Sequence, residues 1–301
     1  MDLTEQNLET ISSVHLHNMT MEEMVVEDRR AGERLHFSGG VWWREVKPFF
    51  YLPAGFMTRI VPHQARPNPW RAVGGYYHMV PEGVSGNGVI VTNEVSNPAS
   101  YQMESLKANK RREIRRALAF FRIGRVAELN DLLGDGFRIY LDWEKKTKDL
   151  RTKRQNPEVF KRWITRTFHH PYKLILGAYA QNQLVAFQII DAVEGVANVS
   201  YTFSDSSFNA RTPRSALNYA YVKICGNHEQ IHKACDGFRS LKDSLEHYKS
   251  ELGYRHVSYP AFIALQPVLR PLVRWLMPME YRRLMGQYPT ESPVGHLPPA
   301  A

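Results

Sequence analysis

The sequence is poor in cysteine, with only Cys225 and Cys235 among 301 residues. Two cysteines exclude a disulfide framework and point to a reduced, cytoplasmic setting. A Cys₂His₂ zinc finger lacks its spaced cysteine pair. No apolar run approaches the ~20 residues that a membrane-spanning helix requires. Residues 1–9 are polar and acidic, so they do not read as a secretory signal. No internal repeat shows in the sequence, and no low-complexity tract precedes residue 287.

The composition is that of a globular protein, with 43% apolar and 23% charged residues. The length fits one large or two ordinary domains and allows ~75% of the unfolded surface to be buried. Lysine and arginine number 39 against 30 acidic residues, a net charge of +9. That excess favours anionic partners: nucleic acid, acidic lipid headgroups or a phosphate-bearing cofactor. Twelve histidines add positive charge below neutrality.

Residues 1–33 form an acidic opening, read as an accessory segment or a partner contact. Residues 34–103 read as a strand-rich accessory region. There, prolines 48, 53, 62, 67 and 69 punctuate short aromatic runs, and Ser85-Gly86-Asn87-Gly88 leads into a β-strand. From residue 104 the pattern changes. Ile114, Ala117, Leu118 and Phe121 recur at helical spacing, with Lys107, Lys110, Arg111, Arg112, Arg115 and Arg116 on the other face. A short strand and two helices (129–148 and 157–168) follow. Then come three antiparallel strands between 172 and 203, a helix at 214–225, a strand at 231–235, a helix at 244–252 and a strand at 256–264. This predicts a mixed α/β (α+β) domain over 104–264. An amphipathic helix is expected at 265–286 and a disordered, proline-rich tail at 287–301.

Four stretches of residues 105–260 resemble the GNAT acyltransferase fold, in particular its FemABX-like branch of peptidoglycan aminoacyltransferases and related acetyltransferases. Lys110-Arg111-Arg112-Glu113-Ile114-Arg115-Arg116-Ala117 is similar to the basic helix opening that branch's domain. Residues 172–203 resemble its three central strands. Arg211-Thr212-Pro213-Arg214-Ser215 stands where the helix facing the cofactor phosphates begins. Cys235-Asp236-Gly237-Phe238, followed by Tyr248-Lys249-Ser250-Glu251-Leu252-Gly253, resembles its acidic-glycine turn and aromatic-lysine helix. One feature differs: no glycine follows Arg211, and Pro213 removes a backbone donor. Residues 34–103 are read as a plain accessory region or as a degenerate companion GNAT subdomain, as in double-GNAT proteins, being too short for a full copy.

The resemblance implies acyl or aminoacyl transfer from acyl-CoA or aminoacyl-tRNA to an amine on a cell-envelope, glycan or peptide acceptor, without a metal. Such transfer needs the amine deprotonated and the oxyanion stabilised. The fold supplies a splayed pair of central strands whose N–H groups hold the donor carbonyl. The edge at residues 199–203 places Tyr201 among the catalytic candidates and Thr202 among the cofactor-binding ones. By resemblance, Lys249 stabilises developing negative charge. Asp236 either orients substrate, acts as base or simply opens a turn. Arg211, Arg214 and Ser215, at a helix N-terminus, suit a phosphate.

Other signals point elsewhere. His228-Glu229-Gln230-Ile231-His232 matches H-E-x-x-H, which on a helix gathers two imidazoles for zinc and defines a metallohydrolase. The basic helix, with Lys145, Lys146, Lys148, Arg151, Lys153 and Arg154, suits a non-catalytic nucleic-acid-binding protein, a transfer-RNA contact or a plain solvated face. Leu265, Val268, Leu269, Leu272, Val273 and Leu276, flanked by Arg270, Arg274, Arg282, Arg283, Trp275, Met277 and Met279, suit either the core or peripheral contact with an anionic inner-membrane face.

Overall fold

A computed structural model describes residues 2–147, 156–276, 278, 281–282 and 285–286. Lys148, Arg151, Lys153, Arg154, Met277, Met279, Arg283 and the tail 287–301 lie outside the described residues.

The acidic opening is structured, because it caps its own helices. In α1 (Leu3–Ser13) the Asp2 side chain accepts from the Glu5 N–H, and the Glu5 side chain accepts from the Asp2 N–H. After the short strand β1 (Asn18–Met19), Thr20 and Glu23 repeat that box at α2 (Met21–Arg30). Five strands follow: β2 (Leu35–Ser38), β3 (Val41–Lys47), β4 (Phe50–Pro53), β5 (Gly75–Met79) and β6 (Gly88–Val95). Next come the basic helix α3 (Ala108–Phe120), β7 (Arg122–Arg125), the short α4 (Leu129–Asp131), a π-turn at Leu132–Gly136, and α5 (Phe137–Thr147). Helix α6 (Pro157–Phe168) starts on proline, with the Asn156 side chain accepting from the Glu158 N–H.

The strands β8 (Leu174–Ala180), β9 (Gln183–Val193) and β10 (Val196–Ser204) form an antiparallel meander. Its first turn puts Gln181 and Asn182 at positive φ, as a two-residue hairpin requires. Then follow α7 (Pro213–Gly226), β11 (Lys233–Phe238), α8 (Asp243–Glu251), β12 (Arg255–Ala264) and α9 (Leu269–Leu276). The amphipathic stretch expected at 265–286 thus contributes an eight-residue helix, whose Trp275 is exposed.

The strands join one sheet in the order β2-β3-β4-β5-β12-β6-β11-β10-β9-β8-β7, with β1 beside β9. The steps β4–β5 and β10–β11 are parallel, and the other steps along this path are antiparallel. Each half therefore runs an antiparallel meander, one parallel step and a closing strand. The closing strands are exchanged: β12 lies between β5 and β6, and β6 lies between β11 and β12. The division at residues 103/104 crosses this continuous sheet. Strand exchange leaves no local periodicity, so the sequence pattern could not reveal it.

Helices α1, α3 and α7 cover one face of the second half around Ile114, Leu118, Leu217 and Tyr221. Helices α5 and α6 cover the other, around Tyr140, Phe160, Phe187 and Phe203. Every residue of β8 is buried, which explains its uninterrupted apolar run. Asn7 of α1 is 1% exposed and stitches α3 to β7. It donates to the Leu118 and Phe121 carbonyls and accepts from the Ile123 N–H, each at 2.7 Å. Asn7→Ala leaves three buried polar groups unpaired and should cost about 3 kcal/mol. The shift in urea midpoint measures it; a loss below about 1 kcal/mol, the worth of one ordinary hydrogen bond, contradicts the stitching role.

Candidate active site

The parallel pairing of β10 with β11 lasts three residue pairs, ending at Asn198–Cys235, although β10 continues to Ser204 and β11 to Phe238. Beyond that point the two strands are no longer paired, and the sheet opens. A β-bulge falls at the same place. The β10–β9 register shifts between Val199 and Tyr201, leaving Ser200 as the extra residue. One inserted residue flips the side chains that follow. Ala197 and Val199 pack with α7, whereas Tyr201 and Phe203 pack with α5 and α6.

On the α7 face a polar network runs from this gap to the surface. Gln188 of β9 donates to the Thr202 hydroxyl (3.2 Å) and to the Asn218 carbonyl oxygen (2.9 Å). The Asn218 amide and the Ser215 hydroxyl each lie 3.3 Å from the Tyr248 hydroxyl. Ser215 also donates to Glu113 (2.5 Å), which accepts from Lys110. Burial pushes the Tyr248 phenol up to about 12, so it stays protonated near neutrality. Lys110 is not solvated, as the charge run suggested. It is 4% exposed, paired with Glu113 and Glu251, and stands over the Tyr248 ring.

The structure brings Lys249 and Asp236 together. The Lys249 ammonium donates to the Asp236 main-chain carbonyl and lies 3.4 Å from its carboxylate. Asp236 is the first β11 residue beyond the parallel pairing, and Gly237 follows at φ +67°. Asp236 thus lies within β11, at the irregularity in its pairing with β6 between Cys235 and Phe238, where the sequence suggested a turn.

The phosphate candidates divide. Arg211 is exposed and lines a pocket of about 520 Å³ with Arg112 and Arg116 of α3. Thr212 precedes α7 in the left-handed region, at φ +53°, where the usual pattern has glycine nearby. Arg214 instead ties α7 to β10 through the Ser204 hydroxyl (2.9 Å), and Ser215 is turned inward to Glu113. Tyr201 lies on the opposite face of β10 from Thr202, with Trp163 and Phe203.

The zinc reading is overturned by local structure. Helix α7 ends at Gly226, so His228 to His232 are not helical. The His228 ring lies tilted against that of His15, 5.1 Å between centroids, while His232 lies so close to Gly195 that a Cβ there would sit 2.3 Å from the imidazole. Among the described residues no cluster of three metal-ligating side chains forms. No described helix is long and apolar enough to cross a membrane.

Sequence reasoning missed the groove on the other face. Asp28, 1% exposed, binds Arg44 and lies 3.4 Å from Lys173 and 3.8 Å from His170. Burial, reinforced by Lys173, holds the His170 imidazole down at about 4, so it is neutral. A polar residue among otherwise apolar neighbours, such as Gln188 or Asp191, was the available signal.

No protein-family model and no curated protein sequence matches the chain. Solved structures do. FemX superposes with a TM-score of 0.55 at 10% identity, over 91% of this chain and 98% of FemX. A C-terminal domain assigned to a lysylphosphatidylglycerol synthetase from Agrobacterium fabrum superposes at 0.51 and 8% identity, over 95% of this chain and 97% of that one. The fold is therefore shared with FemX, a mixed α/β sheet spanning both halves of the chain.

Proposed function

We propose that the chain is a GNAT-type N-acyltransferase that moves an acyl or aminoacyl group from a phosphate-bearing donor to an amine on an envelope, glycan or peptide acceptor. The observation that carries this reading is the sheet opening after Asn198–Cys235, beside a helix start ringed by Arg112, Arg116 and Arg211. An opened parallel pair frees main-chain donors for a carbonyl, and three guanidiniums at a helix N-terminus suit phosphate. Acyl-CoA is the donor we favour, and aminoacyl-tRNA is the other carrier with the same charge. Lys249 lies at the apex of the opening and serves the oxyanion. Asp236 holds Lys249 in place. Thr202 and the Gln188–Asn218–Tyr248 network line the donor side.

Titration with coenzyme A tests the reading. Arg211→Glu should weaken binding by about tenfold or more, equivalent to ~1.4 kcal/mol, and flatten its salt dependence. Binding that ignores Arg211→Glu removes this pocket from the site. If aminoacyl-tRNA alone binds with that dependence, the pocket stands and the donor changes.

A further inference from the structure

The bulge at Ser200 opens the gap to a second compartment, on the face of the sheet away from α7. Ile190 and Ala192 of β9 pack with α7, so Asp191 between them faces the other way. Asp191 pairs in register with Asn198, the last β10 residue to meet β11, and its carboxylate accepts from the Ser200 hydroxyl at 3.3 Å. It therefore stands one strand from the point where the sheet opens, within about 5 Å of it across the ladder. Asp191 lines a cavity of about 300 Å³ with a mixed wall, whose apolar part is rich in methionine: Met21, Met24, Leu52, Met57, Met79 and Phe238.

The charge in this cavity is opposite to that of the whole chain. Arg44, Asp191 and Glu194 are its charged lining residues, since burial lowers the His78 pKa and keeps that ring neutral. Arg44 is already bound to Asp28. By formal charge, two carboxyl groups face one already paired guanidinium in a protein of net charge +9, a balance that favours a cation. Flexible methionines accept irregular hydrocarbon shapes.

Building on the acyl-transfer reading, we propose that this compartment is the acceptor site, that it takes an aliphatic primary amine, and that Asp191 receives the ammonium group. The hydrocarbon enters the methionine-lined cavity, and the nitrogen meets the donor carbonyl at the gap from the face opposite the phosphates. The ammonium gives one proton to the Asp191 carboxylate. The freed lone pair forms the C–N bond at the thioester carbonyl carbon, and the C–S bond breaks. The leaving thiolate takes the second amine proton, and Asp191 releases its own to solvent. Burial raises the Asp191 pKa, opposed by Lys173 and Arg44 and aided by Asp28, which makes it a stronger base than an ordinary surface aspartate.

Calorimetric titration with n-alkylamines from four to eight carbons, and with the matching alcohols, tests this without any donor. On the unmodified protein, affinity should rise by about threefold to fourfold per added methylene. Octylamine should bind about tenfold or more tightly than octanol, as a charge-assisted hydrogen bond requires. Asp191→Asn should abolish that preference and leave octanol binding unchanged. Affinity independent of chain length, or an amine preference that survives in Asp191→Asn, overturns the proposal. Should Asp191→Asn fail to fold, the amine–alcohol comparison on the unmodified protein still decides. Loss of coenzyme A binding would refute the donor reading and leave this result intact.

Discussion

Cut from the rest of the chain, residues 104–301 will not fold. β12 has its two partners, β5 and β6, in the removed part, and β11 keeps only its three pairs with β10. The core loses Ile11 and Leu16 of the N-terminal segment, both at most 2% exposed, at ~1.5–3 kcal/mol each. The seam loses Glu94, 2% exposed, which accepts from the Tyr259 hydroxyl at 2.9 and 3.1 Å and faces Lys233 at 3.4 Å. Against a total stability of ~5–15 kcal/mol, these losses together with three open strand edges are decisive. Urea titration of 104–301 followed by circular dichroism should show no cooperative transition. Co-expression with residues 1–103 should restore one. A cooperative transition from 104–301 alone refutes the obligatory exchange of β6 and β12.

The same exchange marks the limit of what the sequence made legible. Elements set by short-range chemistry are readable. α6 begins at Pro157, where the chain supplies its own cap, and the β8–β9 hairpin announces itself by Gln181-Asn182 between apolar runs. The branch motifs place Asp236 and Lys249, and the structure brings them together. What long-range pairing decides is not readable. Nothing local tells that β6 enters between β11 and β12, or that α1 and α2 supply Asn7 and Asp28 to distant strands. The bulge at Ser200 is invisible for the same reason, and with it which face of the sheet Tyr201 and Thr202 each take. His228-Glu229-Gln230-Ile231-His232 shows the converse error. Its spacing means zinc only on a helix, and Gly226-Asn227 ends the helix first.

Replacing Lys249 with methionine should lower turnover by about 10²–10³, the usual effect of deleting a preorganised oxyanion donor. An ammonium has three N–H donors. One goes to the Asp236 carbonyl, and the carboxylate is an ion-pair partner at 3.4 Å, so donor capacity remains for the gap. Lys249 is 7% exposed, so its charge acts at low local dielectric, where it counts for more than in water. A purely structural Lys249 would predict something different. Its task would be to hold the irregular end of β11, and Asp236→Asn, which removes the counter-charge and keeps the ammonium, would then do comparable damage. With Lys249 at the reacting centre, Asp236→Asn should cost less than about tenfold, since general positioning contributes less than the oxyanion donor itself. Thiol release from acyl-CoA in the presence of the preferred amine gives kcat. Coenzyme A titration shows that ground-state binding is unchanged, and urea midpoints separate folding from chemistry. Equal losses of kcat in Lys249→Met and Asp236→Asn would take the lysine out of the reaction and leave it as the clamp on the end of β11.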